Sequence, residues 1–331
     1  MDGQVDWLIA PDAFKATLSA REVALALARG ARDGGGEIEI CPVADGGEGT
    51  LEILLRALGG RRVQTRVHDP IGRPLAASFG WVQGQSRAIV SSADASGLAL
   101  VAAGERDAEL ASTLGTGELI AEAVAAGAPE VVVALGGSAS TDGGAGAIEG
   151  IESRGGLGGA RLTVLADVST PFERAAEVFA PQKGADAAAV ERLSRRLQEQ
   201  AAGLPRDPRG VAMTGAAGGL AGGLWAMYGA RLVPGAPWVL DTIGFDDRLR
   251  RARAVITGEG RLDSQTLAGK AVAEVAKRCA AAGTPLHAVV GSCTLSAAET
   301  AQLSFASVRV ATDMEQLEAA GRALVGELSR R

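Results

Sequence analysis

The sequence predicts an α/β protein of two domains, with a mainly parallel sheet. Three observations carry that expectation. The chain has 331 residues, 47% of them hydrophobic, more than the roughly 100–200 residues of a single domain and enough for two cores. Short apolar runs alternate with helical segments, and parallel strands need such crossovers. Finally, glycine-rich acidic loops follow several of the apolar runs, and ligands of parallel sheets bind beyond the carboxyl ends of the strands.

The first strand is expected over residues 5–10, running into Pro11-Asp12-Ala13-Phe14-Lys15. Ser19 with Glu22 three residues on is a capping box that opens a helix. A second strand is expected over 37–43, followed by Ala44-Asp45-Gly46-Gly47-Glu48-Gly49-Thr50 and an apolar helix to about Leu58. Residues 88–90 and 131–135 are further strand cores, and the latter enters Gly136-Gly137-Ser138-Ala139-Ser140-Thr141-Asp142-Gly143-Gly144. The strand at 162–166 ends at Asp167-Val168-Ser169-Thr170-Pro171. The strand at 254–257 ends at Gly258-Glu259-Gly260-Arg261-Leu262-Asp263, with an alanine-rich helix after it to about Ala282. Residues 286–290 and 308–310 close the pattern, and Thr312 with Glu315 is expected to cap the last helix.

Charge and composition exclude several function classes. The net charge of -6 leaves no basic footprint for nucleic acid or an anionic membrane. No run approaches the ~20 apolar residues of a membrane span. The opening Met1-Asp2-Gly3 does not read as a signal peptide. Cys41, Cys279 and Cys293 are widely spaced, without a zinc or CxxC pattern, so they are expected to be buried, reduced thiols of a cytoplasmic protein. Trp7, Trp81, Trp225 and Trp238 are expected in cores or domain contacts.

The chain uses arginine for 29 of its 33 cationic residues and contains no asparagine. Its lysines are Lys15, Lys183, Lys270 and Lys277, and the first three fall in or beside the loops. A lysine is a compact, movable point charge that a guanidinium does not replace.

Familiar catalytic patterns are missing. Gly269-Lys270 is followed by Ala271, so there is no Walker A loop, and Gly115-Thr116-Gly117 and Gly258-Glu259-Gly260 are fragments of a dinucleotide fingerprint. His68 and His287 lie outside any HExxH context, and no G-x-S-x-G elbow occurs. What remains is carboxylates, hydroxyls, glycines and a few lysines. Phosphoryl transfer uses that inventory: carboxylates for Mg²⁺, N–H groups and cations for phosphate oxygens, and a base near the acceptor hydroxyl. Each loop also has a structural reading. Asp45 and Asp142 suit turns that satisfy their own backbone. Gly136-Gly137-Ser138 suits either a packing turn or an anion site. Glu259 and Asp263 suit pairing with Arg261.

Together these segments resemble the bacterial glycerate kinases of the first class. The resemblance rests on Pro11-Asp12-Ala13-Phe14-Lys15, the segments 45–50, 115–119, 136–144, 179–185, 215–219 and 257–263, and Gln265, Gly269 and Lys270, all in the family's order. Thr141 and Thr170 stand where the family usually has Asn, and Ser91 where it often has Glu.

The resemblance implies phosphorylation of D-glycerate by ATP with Mg²⁺, at the 2-hydroxyl, giving 2-phosphoglycerate. It implies a Rossmann- or flavodoxin-like domain made of residues 1–65 and 285–331, an inserted α/β domain over 66–284, and an active-site cleft between them. In that frame Asp45 is the expected base or acceptor-hydroxyl ligand, and Lys15 stabilises the transferring phosphoryl group. Asp12, Ser138, Lys183, Arg261 and Lys270 serve substrate and phosphate. Asp263, with Asp142 or Asp167, is placed on Mg²⁺. The partners are D-glycerate and ATP, with no nucleic acid or membrane, in a monomer or homodimer. The rival readings are a kinase of another small hydroxy acid, one that makes 3-phosphoglycerate, and a non-catalytic sugar-acid sensor.

Overall fold

The computed structural model describes residues 4–14, 17–267 and 269–328. Among these, eleven strands form: β1 (Val5–Pro11), β2 (Ile38–Ile40), β3 (Arg61–His68), β4 (Pro74–Val82), β5 (Arg87–Ser91), β6 (Glu130–Ala134), β7 (Arg161–Ala166), β8 (Arg231–Pro234), β9 (Ala252–Gly258), β10 (Leu286–Val290) and β11 (Ser307–Val310). The chain divides into two compact units, Met1–Asp45 with Ala236–Arg331, and the inserted Gly46–Gly235.

The first unit carries a five-stranded sheet in the order β11-β10-β9-β1-β2, with every pairing parallel. Counted within the unit this is the flavodoxin-like order 2-1-3-4-5, whose direction of winding reverses between its first and third strands. Here those strands are β1 and β9, paired from Val5↔Ala252 to Pro11↔Gly258. Ile9, Ala254, Ile256 and Val289 pack against Val23 and Leu27 of the Ala20–Asp33 helix and Leu317 and Leu324 of the Met314–Leu328 helix. The helix after β1 begins as the sequence predicts: Ser19 Oγ accepts from Glu22 N–H while the Glu22 carboxylate accepts from Ser19 N–H at 2.8 Å. The last helix is capped one residue later than expected. Asp313, not Thr312, accepts from the Gln316 N–H at 2.8 Å, and Gln316 rather than Glu315 reaches back to Thr312 N–H.

The second unit holds a six-stranded sheet in the order β3-β4-β5-β6-β7-β8. Its β5–β8 half is parallel and its β3–β4–β5 edge antiparallel. The β3–β4 hairpin has no counterpart among the expected strands, and the division of the chain differs accordingly from the expected 1–65, 66–284 and 285–331. β3 begins at Arg61 and pairs with β4, so the insert starts at Gly46, and β9 pairs with β1, so the first unit resumes at Ala236. Val90, Val131, Val133 and Val164 fill the insert's core with Leu119, Ile120 and Leu220 from its helices.

Cys41 and Cys279 are buried, and burial pushes both thiols up to about 12. Cys293 is exposed, contrary to expectation, because it sits in the loop after β10 rather than in the strand.

Candidate active site

Within the first unit a cavity of about 440 Å³ opens at the carboxyl edge of the sheet. That volume lies in the range of small-ligand pockets. Each wall comes from a loop that leaves a strand: Asp12, Ala13 and Phe14 after β1, Glu259, Gly260, Arg261 and Asp263 after β9, Gly291 and Ser292 after β10, and Thr312 after β11. The cavity thus straddles β1 and β9, the topological switch point where ligands of open α/β sheets bind. Asp12, Arg261, Asp263 and Lys270 were expected in the site, and the structure brings these four together.

The walls are held by backbone closeness. A Cβ on Gly258 would lie 2.1 Å from the Val289 carbonyl oxygen, so only glycine lets β9 turn out of the sheet there. Asp12 is buried, its N–H donates to the Gly258 carbonyl at 2.8 Å, and its carboxylate accepts from Ala13 N–H at 2.7 Å. Arg261 is 65% exposed and faces Asp263, Nε to Oδ2, at 3.5 Å. Asp263 Oδ1 accepts from Gln265 N–H at 2.9 Å, which starts the short Ser264–Leu267 helix. Lys270 stands at the start of the Ala271–Ala282 helix. Glu259 pairs not with Arg261 but with Thr266, whose hydroxyl donates to it at 2.7 Å. Neither Glu259 nor Thr266 had been singled out for the site. The signal was present in the Glu259-Gly260 pair after a strand, but its partner lies seven residues on, across a turn that spacing alone does not reveal.

Asp45 is buried. Although β2 ends at Ile40, Cys41 N–H donates to the Ile9 carbonyl at 2.9 Å and Val43 N–H to that of Pro11 at 3.0 Å. The chain therefore continues beside β1 and delivers Asp45 past the same sheet edge as Asp12. Lys15 lies outside the described residues.

The insert carries a separate polar cluster. Ser138 Oγ lies 3.1 Å from Ser140 Oγ, and the Lys183 ammonium donates to the Ser140 carbonyl. Lys183 is buried on the turn Pro181–Lys183, and burial brings it down to about 8 although the nearby Asp142 carboxylate opposes the shift. A Cβ on Gly218 would meet the Ser140 carbonyl oxygen at 2.1 Å, and its φ of +68° also favours glycine. Asp142 accepts from Thr113 N–H and Oγ1, Gly144 N–H and Gly146 N–H at 2.8–3.2 Å. Three of those donors meet Oδ2 and one meets Oδ1, so Asp142 anchors its loop. Asp167 stands half-buried directly after β7 in the same unit and does not line the cavity. No group of three or more His, Cys, Asp or Glu is arranged for a metal among the described residues.

His68 and His287 have structural partners. His68 Nδ1 lies 3.0 Å from the Glu118 carboxylate, and His287 Nδ1 lies 2.8 Å from Ser307 Oγ. No described helix is long and apolar enough to cross a membrane.

A model of the Glycerate kinase family matches residues 7–156 and 151–330. The chain belongs to this family. It is 38% identical to the glycerate kinase of Bacillus subtilis (strain 168) over 86% of this chain and 84% of that one. With the glycerate 2-kinase of Escherichia coli (strain K12) it shares 36% identity over 82% of each. Among solved structures, a Salmonella typhimurium LT2 protein described as glycerate kinase 2 superposes with a TM-score of 0.82 at 32% identity, covering 99% of both chains. The structural likeness covers both units, and the named relatives favour an enzyme over a sensor.

Proposed function

We propose that the chain phosphorylates D-glycerate at its 2-hydroxyl with ATP, giving 2-phospho-D-glycerate and ADP. The observation that carries this reading is the switch-point cavity, where Asp12, Glu259 and Asp263 face Arg261 and Lys270. Carboxylates and cations side by side suit a site that handles phosphate oxygens and a divalent ion together. Mg²⁺ is commonly held by one or two carboxylates plus substrate phosphates rather than by an all-protein cage, and Asp263 fits that role through the oxygen not used in capping. Held by Asp263 with ATP, the ion would neutralise charge on the phosphate oxygens.

The remaining roles are assigned by the family resemblance. Asp45 orients the acceptor hydroxyl and takes its proton. Arg261 and Lys270 bind phosphate oxygens, and Lys15 steadies the transferred group. In the insert, Ser138 and Lys183 take the glycerate carboxylate or a phosphate. The reaction is assigned to the cytoplasm, where ATP and reduced thiols coexist.

The test is ADP release with D-glycerate against glycolate, L-glycerate and lactate, with and without Mg²⁺. Product regiochemistry follows from ³¹P NMR, or from enolase coupling with and without phosphoglycerate mutase. Turnover on another hydroxy acid in place of D-glycerate would move the substrate assignment. Product that reaches enolase only through the mutase would move the phosphate to the 3-hydroxyl. Tight sugar-acid binding without turnover would make the protein a sensor.

A further inference from the structure

The cavity wall after β9 contains a buried relay that none of the roles above uses. Thr266 is fully buried, and its hydroxyl donates to Glu259 Oε1 at 2.7 Å. The Thr266 hydroxyl oxygen also accepts from the Asp263 N–H at 3.2 Å. Thr266 N–H in turn donates to the Asp263 carbonyl at 2.9 Å. One side chain therefore holds one wall carboxylate, Glu259, and the backbone N–H of the other, Asp263, while the N–H of the same residue fixes the Asp263 carbonyl. The arrangement is sensitive to chemistry as well as to size, because the relay needs an atom that donates and accepts at once. A hydroxyl does both, and a methyl group of the same shape does neither.

We propose that Thr266 is the positioning residue of this cavity, its hydroxyl tying Glu259 and Asp263 into one rigid unit that presents the Asp263 carboxylate. This rests on the kinase reading. Thr266 is walled off from solvent, so it acts through Glu259 and Asp263 rather than on substrate. Without the hydroxyl, Glu259 loses a donor in a buried site and Asp263 N–H loses its acceptor, so the turn is free to adjust and the carboxylate of Asp263 is no longer held. Geometry at a reacting centre tolerates little such play.

The test compares Thr266→Val, which keeps the shape and removes the hydroxyl, with Thr266→Ser, which keeps the hydroxyl and loses a methyl. Steady-state kcat, the KM for MgATP, the affinity for MgADP by calorimetry and the melting temperature are measured for both and for wild type. The expectation is a fall in kcat of about 10-fold or more for Thr266→Val, the scale seen when an outer-shell partner of a ligand is lost. Thr266→Ser should retain kcat within about twofold even if it melts lower, because the positioning chemistry survives the cavity. Equal kcat losses in both variants, or a Thr266→Val enzyme that loses melting temperature alone, would reduce Thr266 to packing. If Thr266→Val fails to fold, the comparison of Thr266→Ser with Glu259→Gln replaces it: the proposal requires Thr266→Ser to keep kcat and Glu259→Gln to lose it. Wild-type protein with no D-glycerate turnover would defeat the kinase reading instead. The relay is then judged on MgADP affinity alone, which must weaken in Thr266→Val and not in Thr266→Ser. A wild type that binds no MgADP overturns both.

Discussion

Thr113 grips Asp142 twice, its backbone N–H and its hydroxyl each donating to the same carboxylate oxygen at 2.8 Å. Both residues are buried, and the Thr113 hydroxyl also accepts from Ala147 N–H at 2.9 Å. The pair thereby joins the start of the Leu114–Ala125 helix to the start of the Ala145–Ser153 helix. Asp142→Asn should cost about 1–3 kcal/mol, because the amide NH₂ puts a donor where the loop's N–H and O–H groups need an acceptor. Thermal melting checks this. A loss of activity that extra Mg²⁺ or Mn²⁺ restores, in a protein that melts normally, would place Asp142 on the metal instead.

Lys183 makes the insert respond to alkaline pH. Burial depresses its ammonium from the ordinary 10.5 to about 8. Between those values the unfolded chain binds a proton that the folded one has released, so stability rises with pH across this window. The burial penalty is fully present below about 8 and is relieved as pH climbs toward 10.5. Melting temperature measured across the window should show this rise, and Lys183→Met should flatten it. If the charge of Lys183 serves substrate, kcat should decline as pH passes about 8, opposite in sign to stability.

The cysteines divide by exposure. One thiol, Cys293, should react with a disulfide reagent in native protein, and all three after denaturation. Cys41 and Cys279 are shielded by position and, at about 12, carry almost no thiolate near neutrality. Rapid native labelling of a second thiol would contradict the packing around β2 or the Ala271–Ala282 helix.

What the sequence revealed follows the range of the interactions. The Ser19–Glu22 capping box is local and reads directly. The loops after β1 and β9 were recognisable because each puts acids and glycines at a strand end, although the pairing that brings them together spans over 240 residues. The hairpin β3–β4 was not legible. Along β3, Arg61, Arg62, Gln64 and Arg66 interleave with Val63 and Val67 on a largely exposed edge, which weakens the apolar signal of a strand. Asp142 looked like Asp263 because Asp beside Gly or in a tight turn serves both a backbone cap and a metal. That Asp142 caps the backbone depends on the positions of Thr113, Gly144 and Gly146, which spacing does not show. The displaced cap at Asp313 has the same origin, since Thr312 and Asp313 are both good caps and Gln316 decides between them.

The last prediction separates base from metal ligand. Asp263 uses Oδ1 to cap a turn and directs Oδ2 toward Arg261. Asp263→Asn keeps an oxygen for the cap and removes the charge, so the fold should survive while metal affinity weakens. Raised Mg²⁺, or Mn²⁺ in its place, should then restore part of the rate. Asp45 is buried beyond the edge of β1 and is assigned to the acceptor hydroxyl. Its replacement by Asn should depress kcat at saturating metal with no recovery. In a loose transition state the proton leaves late, so the loss can fall below the ~10²–10⁴-fold typical of general acid–base catalysis. The discriminating measurement is therefore the metal dependence rather than the size of the defect. Full rescue of Asp45→Asn by Mn²⁺, with none for Asp263→Asn, would exchange the two assignments. Mild effects from both would leave the two aspartates as turn-formers and shift the search for the base to Asp12, which is buried directly after β1 and lines the cavity with Asp263.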